Sequence, residues 1–296
     1  MLEHLTASPA RPARVVIMGA NGFVGGALRR RLDAAGVGVL ALGRGEIDLL
    51  APGAGGRLAE RLRPDDAFVA VSALAPVKNL EMLQANIVML RAMVEALGRV
   101  PPAHLVNIGS DAVFGDEPLP LTEASPKAPG SLHGVMHAAR EIAFAEIKAP
   151  LATLRPTLIY GADDPHNGYG PNRFRRLAAE GKEIALFGEG EERRDHILVE
   201  DVAELAYRAL IHRSRGSLNC VTGQVWSFRE IASMVANLSE PPVPVRGSPR
   251  QGPMPHNGHR PFDPAAIAAA FPDFRATPLP EGLARVHTEL ASRRHA

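Results

Sequence analysis

The chain has 296 residues, 46% of them apolar and 22% charged, and a net charge of +1. That balance suits one large domain or two joined ones, and it excludes a basic block that would bind nucleic acid or an anionic membrane. No apolar run approaches the roughly 18 residues of a membrane span, and the lone cysteine, Cys220 in L-N-C-V, forms no internal disulfide and reads as a packing residue in a reducing cytoplasm.

Residues 1–12 lack the apolar core of a signal peptide and are expected to be a flexible tail. R-V-V-I-M (14–18) predicts a short buried strand, followed by the glycine-rich G-A-N-G-F-V-G-G and a helix over 27–35. Strands are expected over 37–42 and 67–72. Apolar residues at 80, 83, 87, 90, 94 and 97 recur at a helical period and predict a helix over 80–97. A strand at 104–108, a helix at 132–147 and a strand at 152–155 continue the alternation. Beyond Tyr160 the pattern loosens into the loop G-A-D-D-P-H-N-G-Y-G-P-N, a helix near 172–180 and a turn at G-E-G. I-L-V (197–199), a helix over 202–212 and a strand over 217–221 return to the sheet, and the Pro- and Gly-rich 241–264 wraps over a small lobe.

Strand–helix alternation of this kind requires crossover connections. The fold class is therefore α/β, a Rossmann-type doubly wound parallel sheet with a small C-terminal lobe that binds substrate. The sheet domain is expected over 13–160, with 196–222 returning to it, and the lobe over 161–195 and 223–296. Ligands in such folds lie beyond the carboxyl ends of the strands, so the loops after 18, 42, 72, 108 and 155 carry the site.

Gly19, Gly22 and Gly25 follow the first strand and open the first helix. Glycine there permits a tight turn and lets backbone N–H groups approach a pyrophosphate at the positive end of the helix. A ligand-free turn is the plainer reading, but the place of this loop at the start of an α/β pattern favours a dinucleotide. The end of the second strand reads Leu42-Gly43-Arg44, with no carboxylate for the ribose hydroxyls. Arg44 either pairs with a 2′-phosphate or lies solvated at the surface, so NADP is slightly favoured over NAD.

The spacing G-x-x-G-x-x-G, as G-A-N-G-F-V-G, resembles that of the extended short-chain dehydrogenase/reductase family, the NAD(P)-dependent epimerases, dehydratases and reductases of nucleotide sugars. The resemblance extends through A-L-G-R-G-E-I-D-L-L (41–50), N-I-G-S-D-A-V-F-G-D (107–116), L-T-E-A-S-P-K-A-P (121–129), L-R-P-T-L-I-Y-G (154–161) and R-R-D-H-I-L-V-E-D-V-A (193–203). The short path to E-I-D, with S-D-A-V-F-G-D, looks closest to dTDP-4-dehydrorhamnose reductases. The resemblance implies cofactor contacts at Gly19, Asn21, Gly22, Phe23, Val24, Gly25, Arg44, Asp48, Leu49, Ser72, Ala73 and Pro156. It implies a catalytic hydroxyl at Ser110, a supporting Asn86, and substrate contacts at Asn172, Arg173, Phe174, Arg194 (or its neighbour Arg193) and Arg260. A nucleotide sugar as the small-molecule partner and a homodimer through helices 80–97 and 132–147 follow from the same resemblance.

In that family the helix after the proline-bearing loop begins with Tyr and carries Lys four residues on. Here those positions hold His133 and His137, in S-L-H-G-V-M-H. A metal pair would need a third ligand, and Gly134 breaks the H-E-x-x-H pattern, so no metal is assigned. Two readings remain open. An imidazole, with an ordinary pKa of about 6.5, can exchange a proton near neutrality, which makes His133 the acid/base with His137 orienting it. Alternatively, the site is degenerate and the chain is a nucleotide-binding scaffold or regulatory subunit. Tyr160 and Tyr169, on loops near the site, are further sources of a phenolic hydroxyl.

Overall fold

The computed structural model describes residues 2–294. In chain order the first half runs β1 (Arg14–Met18), α1 (Phe23–Ala34), β2 (Val39–Leu42), α2 (Ala54–Ala59), β3 (Asp66–Ala70), α3 (Leu80–Arg99), β4 (His104–Ile108), α4 (Leu132–Ala145) and β5 (Leu151–Pro156). Next come β6 (Leu158–Tyr160), α5 (Pro171–Ala179), β7 (Ile184–Phe187), β8 (Arg193–Leu198), α6 (Val199–Ile211) and β9 (Gly216–Cys220). The chain closes with β10 (Val225–Ser227), α7 (Phe228–Asn237), β11 (Val245–Ser248), β12 (His259–Arg260), α8 (Ala265–Ala270) and α9 (Leu279–Arg294). Among the described residues no helix is long and apolar enough to cross a membrane.

Strands β2, β1, β3, β4, β5 and β9 lie side by side in that order, all parallel. Both faces of this sheet are buried, which is why its strands read as unbroken apolar runs. Successive side chains serve opposite faces. Val15, Ile17 and Val106 join a core with residues of α1 and α6, whereas Val16, Met18 and Leu105 join one with residues of α2, α3 and α4. The doubly wound sheet expected from the alternation is present. Its order reverses beside β1, and that reversal opens a crevice beyond the carboxyl ends of β1 and β3.

The expected boundaries need correction at three places. Of 196–222, only α6 and β9 return to the main sheet; β8 lies in a second sheet, between β10 and β12, and also pairs with β6. Buried Asp195 makes that joint, accepting hydrogen bonds from the Thr157 hydroxyl (3.1 Å) and from the N–H groups of Thr222 (3.1 Å) and Gly223 (2.8 Å). The segment 241–264 contains β11 and β12, so it builds sheet rather than only wrapping. Residues 2–10, expected to be a flexible tail, are tied down. Glu3 and Arg215 exchange backbone hydrogen bonds of 2.8 Å, and the His4 ring bonds the Ser214 hydroxyl (2.8 Å) and donates to the Ala270 carbonyl (2.9 Å). This contact covers the start of β9, an edge strand whose free ladder would otherwise be open.

Two buried imidazoles make the fold sensitive to acid. His104 of β4 donates through Nε2 to the Ser214 carbonyl (2.7 Å), its Nδ1 has no partner, and burial pushes its pKa down to about 4. Burial likewise takes His196 of β8 down to about 3. In the unfolded chain both protonate near 6.5, so the unfolded state binds more protons below that value. Stability present above pH 6.5 is lost as pH falls toward 4, by roughly 1.4 kcal/mol per pH unit for each group. Thermal unfolding followed by circular dichroism should show Tm dropping between pH 7 and pH 5; a Tm that holds or rises over that window contradicts neutral burial.

Candidate active site

A cleft of about 950 Å³ lies at the carboxyl ends of the main sheet, between it and the second sheet. One end is built by the glycine loop. Gly19 has φ of +105°, and a Cβ there would meet the Ser72 nitrogen at 2.7 Å. A Cβ on Gly25 would overlap the Gly19 carbonyl, so α1 can start against the loop only with glycine at that position. Gly22 caps α1 with no side-chain bond, and the first turn carries no acidic residue. The positive end of a 12-residue helix therefore faces the cleft unopposed, which fits a pyrophosphate.

Gly19, Asn21, Gly22, Phe23, Val24, Arg44, Asp48, Leu49, Ser72, Ala73 and Pro156 line this cleft. Gly25 does not line it; it is buried beneath the loop and acts by making room. Arg44 is 81% exposed and ion-pairs with Asp48 at 3.3 Å. The end of β2 is also less free of acid than the sequence suggests, because Glu46 folds back to accept the Gly43 N–H at 2.7 Å.

Ser110, His133 and His137 line the same cleft. Ser131 caps α4, accepting the Gly134 N–H at 3.1 Å, and a Cβ on Gly134 would strike the Ala112 carbonyl. The first turn of α4 is thereby seated on the turn that follows β4, and His133 is brought to the Ser110 side of the cleft. The Ser110 hydroxyl accepts from the Ala112 N–H (3.1 Å) and donates to Asp111 (3.3 Å). The two imidazoles meet edge to face, 4.7 Å between centroids at 90°. Nδ1 of each is buried without a hydrogen-bond partner. Burial holds the His133 pKa below its ordinary value, with Asp111 opposing and His166 adding to the effect. Burial, then His133 and Arg140, take His137 well below. Both rings are neutral at pH 7. Among the described residues no group of three or more His, Cys, Asp or Glu is placed to hold a metal ion.

Asn86 does not reach the cleft. Its amide accepts the Leu74 N–H (3.0 Å) and donates to the carbonyls of Leu74 (3.0 Å) and Met82 (2.8 Å), so it supports the loop after β3. At the far end Asn172, Arg194 and Arg260 line the cleft, but Arg173 is exposed elsewhere and Phe174 is buried in the core of the small lobe. On α5, adjacent positions face different ways, and only Asn172 of the three points at the cleft. Arg260 is 1% exposed and is occupied by the turn after β4, donating to the carbonyls of Asp111 (3.1 Å) and Phe114 (3.3 Å) and pairing with Asp116. Arg194 lies 3.3 Å from Glu192 and 3.6 Å from Asp111. Arg193 is exposed on the solvent side. Tyr160 is buried against Gly282 in the lobe and supplies no hydroxyl to the cleft; Tyr169 does line it, its oxygen accepting the Phe187 N–H at 3.0 Å.

Asp111, Asp116, His166, His196 and His256 also line the cleft. Asp111 and Asp116 were legible as neighbours of Ser110 in S-D-A-V-F-G-D. His256, bonded to Asp116 at 2.6 Å, comes from 140 residues away and carried no local signal.

Comparison with known proteins gives the same picture. Residues 15–220 match the family model described as the NAD dependent epimerase/dehydratase family. The chain is 28% identical over 271 residues to a dTDP-6-deoxy-L-talose 4-dehydrogenase (NAD(P)(+)) of Kitasatospora kifunensis, covering 83% of this chain and 85% of that one. It is 26% identical over 275 residues to a UDP-glucose 4-epimerase of Mycolicibacterium smegmatis, covering 81% and 87%. Among solved structures, the UDP-glucose 4-epimerase of Thermotoga maritima with UDP-glucose superposes with a TM-score of 0.83 at 18% identity, covering 95% of this chain and 99% of that one, a likeness of fold.

The glycine loop makes a direct prediction. Gly25→Ala forces α1 off the Gly19 carbonyl, an over-packing cost of about 1–3 kcal/mol. Dinucleotide Kd, read by titration of cofactor fluorescence, should rise about tenfold or more at 1.4 kcal/mol per decade. Unchanged affinity in a folded Gly25→Ala protein rules out this loop as the phosphate cradle.

Proposed function

The chain belongs to the NAD dependent epimerase/dehydratase family, and from that membership we propose that it is an NAD(P)-dependent oxidoreductase or epimerase acting on a sugar alcohol or carbonyl of a nucleotide-activated sugar, with His133 in place of the usual acid/base. The relatives support that substrate class: one is named for a dTDP-6-deoxy sugar and acts at its 4-position, the other for UDP-glucose. The observation that carries the reading is the neutral His133–His137 pair, which lines one cleft with Ser110 and the glycine loop.

A nicotinamide cofactor held by the glycine loop would supply the acceptor and donor of hydride. The chain's own residues handle the proton. As a C–H bond of the sugar gives up its hydrogen with both electrons, the hydroxyl on that carbon must lose a proton, and neutral His133 has the lone pair to take it. Asp111, which favours the protonated ring, then stabilises the imidazolium; the reverse direction returns the proton to the carbonyl oxygen. Ser110 turns its hydroxyl from Asp111 to the substrate oxygen. His137 packs edge-on against His133 and fixes the ring plane.

Cofactor preference rests on opposed charges. Exposed Arg44 suits a 2′-phosphate, while Glu46 and Asp48 beside it suit ribose hydroxyls. NADP and NAD are both accommodated, and we retain the slight preference for NADP on Arg44.

His133→Phe keeps a ring of similar breadth and removes the proton carrier. We expect turnover of a nucleotide-sugar panel to fall about 10²–10⁴-fold, with dinucleotide binding retained. In the wild type, kcat/KM for oxidation of the sugar alcohol should be level above pH 6.5 and fall as pH drops through the lowered His133 pKa, because only the neutral ring accepts a proton. Wild-type turnover in His133→Phe would sink the acid/base assignment, and cofactor binding without turnover in the wild type would favour the scaffold reading.

A homodimer through α3 and α4 is part of the proposal. Leu80 (67% exposed) and Ile87 (42%) lie seven residues apart on α3, and Val135 (40%) and Ile142 (70%) lie seven apart on α4. Such spacing sets each pair on one stripe, and exposed apolar stripes on neighbouring helices mark an association face. Ile142→Glu touches no core and should convert a dimer to a monomer in light scattering after size exclusion; a wild-type monomer contradicts the assignment.

A further inference from the structure

Three residues beyond His137 on α4 sits Arg140, which is 2% exposed. Its guanidinium reaches the ends of two strands. Nη1 donates to the Ser72 carbonyl (2.6 Å), Nη2 to the Ala70 carbonyl (2.9 Å), and Nε and Nη2 both to the Asn107 side-chain oxygen (3.2 and 3.1 Å). Every acceptor is a neutral dipole. Among the described residues no carboxylate pairs with it; the neighbouring Glu141 is taken by Arg155 and Lys127. Burial lowers the Arg140 pKa only to about 10, so the group stays charged at neutral pH.

A buried guanidinium without a counter-ion is costly, and here four hydrogen bonds to neutral acceptors offset that cost. For structure alone, an apolar side chain of similar volume would serve as well or better. The contacts show what the charge is attached to. Ser72 is the residue whose backbone crowds Gly19 of the phosphate loop, and its N–H donates to the Met18 carbonyl at 2.8 Å. On its other side Arg140 is rigidly joined through α4 to His137 and His133. The guanidinium thus links the wall of the cofactor cleft to the helix that bears the two imidazoles.

We propose that Arg140 is a positioning residue of the reaction centre, a buried guanidinium that locks the His133–His137 helix to the ends of β3 and β4 and holds a fixed positive charge behind the pair. The charge opposes protonation of His137, the nearer ring. The other ionisable groups facing the pair are Asp111 from the turn after β4, which favours a protonated His133, and His166 from the loop after β6, which opposes it. Glu141, on the same helix, is already paired with Arg155 of β5 and with Lys127 from the loop before α4. An uncompensated cation is therefore suited to keeping a two-imidazole site in its base form, and a fork of four bonds to keeping it in register.

The proposal rests on the acid/base reading of His133, and the test separates the two. Ring titrations of His133 and His137 by NMR, without substrate, and kcat are measured for Arg140→Lys and Arg140→Met. Lysine keeps the charge and loses the fork, so the His137 midpoint should stay low while kcat falls about 100-fold, as for a misplacement of about 1 Å. Methionine removes both, so kcat should fall at least as far and the His137 midpoint should rise by about one unit. Wild-type kcat in either folded variant overturns the positioning role. An unmoved His137 midpoint in Arg140→Met overturns the electrostatic one, and failure of both variants to fold assigns Arg140 to stability and overturns the proposal. If the midpoint moves as expected but His133→Phe still turns over, the acid/base reading fails and the coupling stands.

Discussion

The site depends on one close approach, that of α4 to the turn after β4. Gly134 lies against the Ala112 carbonyl where no Cβ fits, and Ser131, the residue before α4, caps the helix. Helices and strands are stiff at this scale, so fixing one end of α4 against one strand end places everything downstream on the helix. His133 comes to Ser110, His137 comes beneath it, and Glu141 two turns on reaches Arg155 of β5 at 2.7 and 2.9 Å. A larger residue at 134 would lift the whole series. Gly134, which in the sequence only ruled out a metal motif, is a steric requirement of the site.

Buried charge is distributed unevenly around that helix. Glu141 pairs bidentately with buried Arg155 and accepts Lys127 at 2.6 Å, so one carboxylate answers two cations. Arg140 has only dipoles. The sum on this side of the cleft is positive, and the two imidazoles nearest it are held neutral mainly by burial. Asp111 is the counterweight. It lies between Arg194 and Arg260 and favours a protonated His133 against the effect of burial.

The sequence made the main sheet legible because both of its faces are buried. Runs such as R-V-V-I-M and H-L-V-N-I have no amphipathic alternative, and β4 falls at 104–108 as read. The small lobe was not legible in the same way. β7 is apolar in sequence (I-A-L-F) but buried only at alternate positions, and β11 (V-R-G-S) is only partly buried, so neither reads as a strand covered on both faces. α7 did carry a signal, the Ser227–Glu230 capping box at the start of an apolar helical period. The domain boundary failed at β8 because R-R-D-H-I-L-V looks like any buried strand. Its place in the second sheet is decided by Asp195, whose partners Thr157 and Thr222 lie 38 and 27 residues away in the chain.

Site residues followed the same division. Those within short loops at strand ends, from Gly19 to Ser72, line the cleft apart from Gly25, because local spacing sets their geometry. Phe174 and Arg173 were misplaced because helical phase, which rotates about 100° per residue, decides which of two neighbours faces the cleft. Arg140 was invisible for a different reason. In A-A-R-E it reads as a solvated helix residue, and only the packed structure shows that its guanidinium passes under the helix to carbonyls at the end of β3. The two substitutions seen in the sequence, His133 and His137, therefore cannot be weighed as a pair. A phenol needs a nearby cation to make it acidic, whereas an imidazole is already a base at neutral pH and needs an environment that refuses a proton until substrate supplies one. Burial provides that environment, and the Arg140 charge adds to it at His137, so the charge pattern of this helix suits a pair of neutral imidazoles.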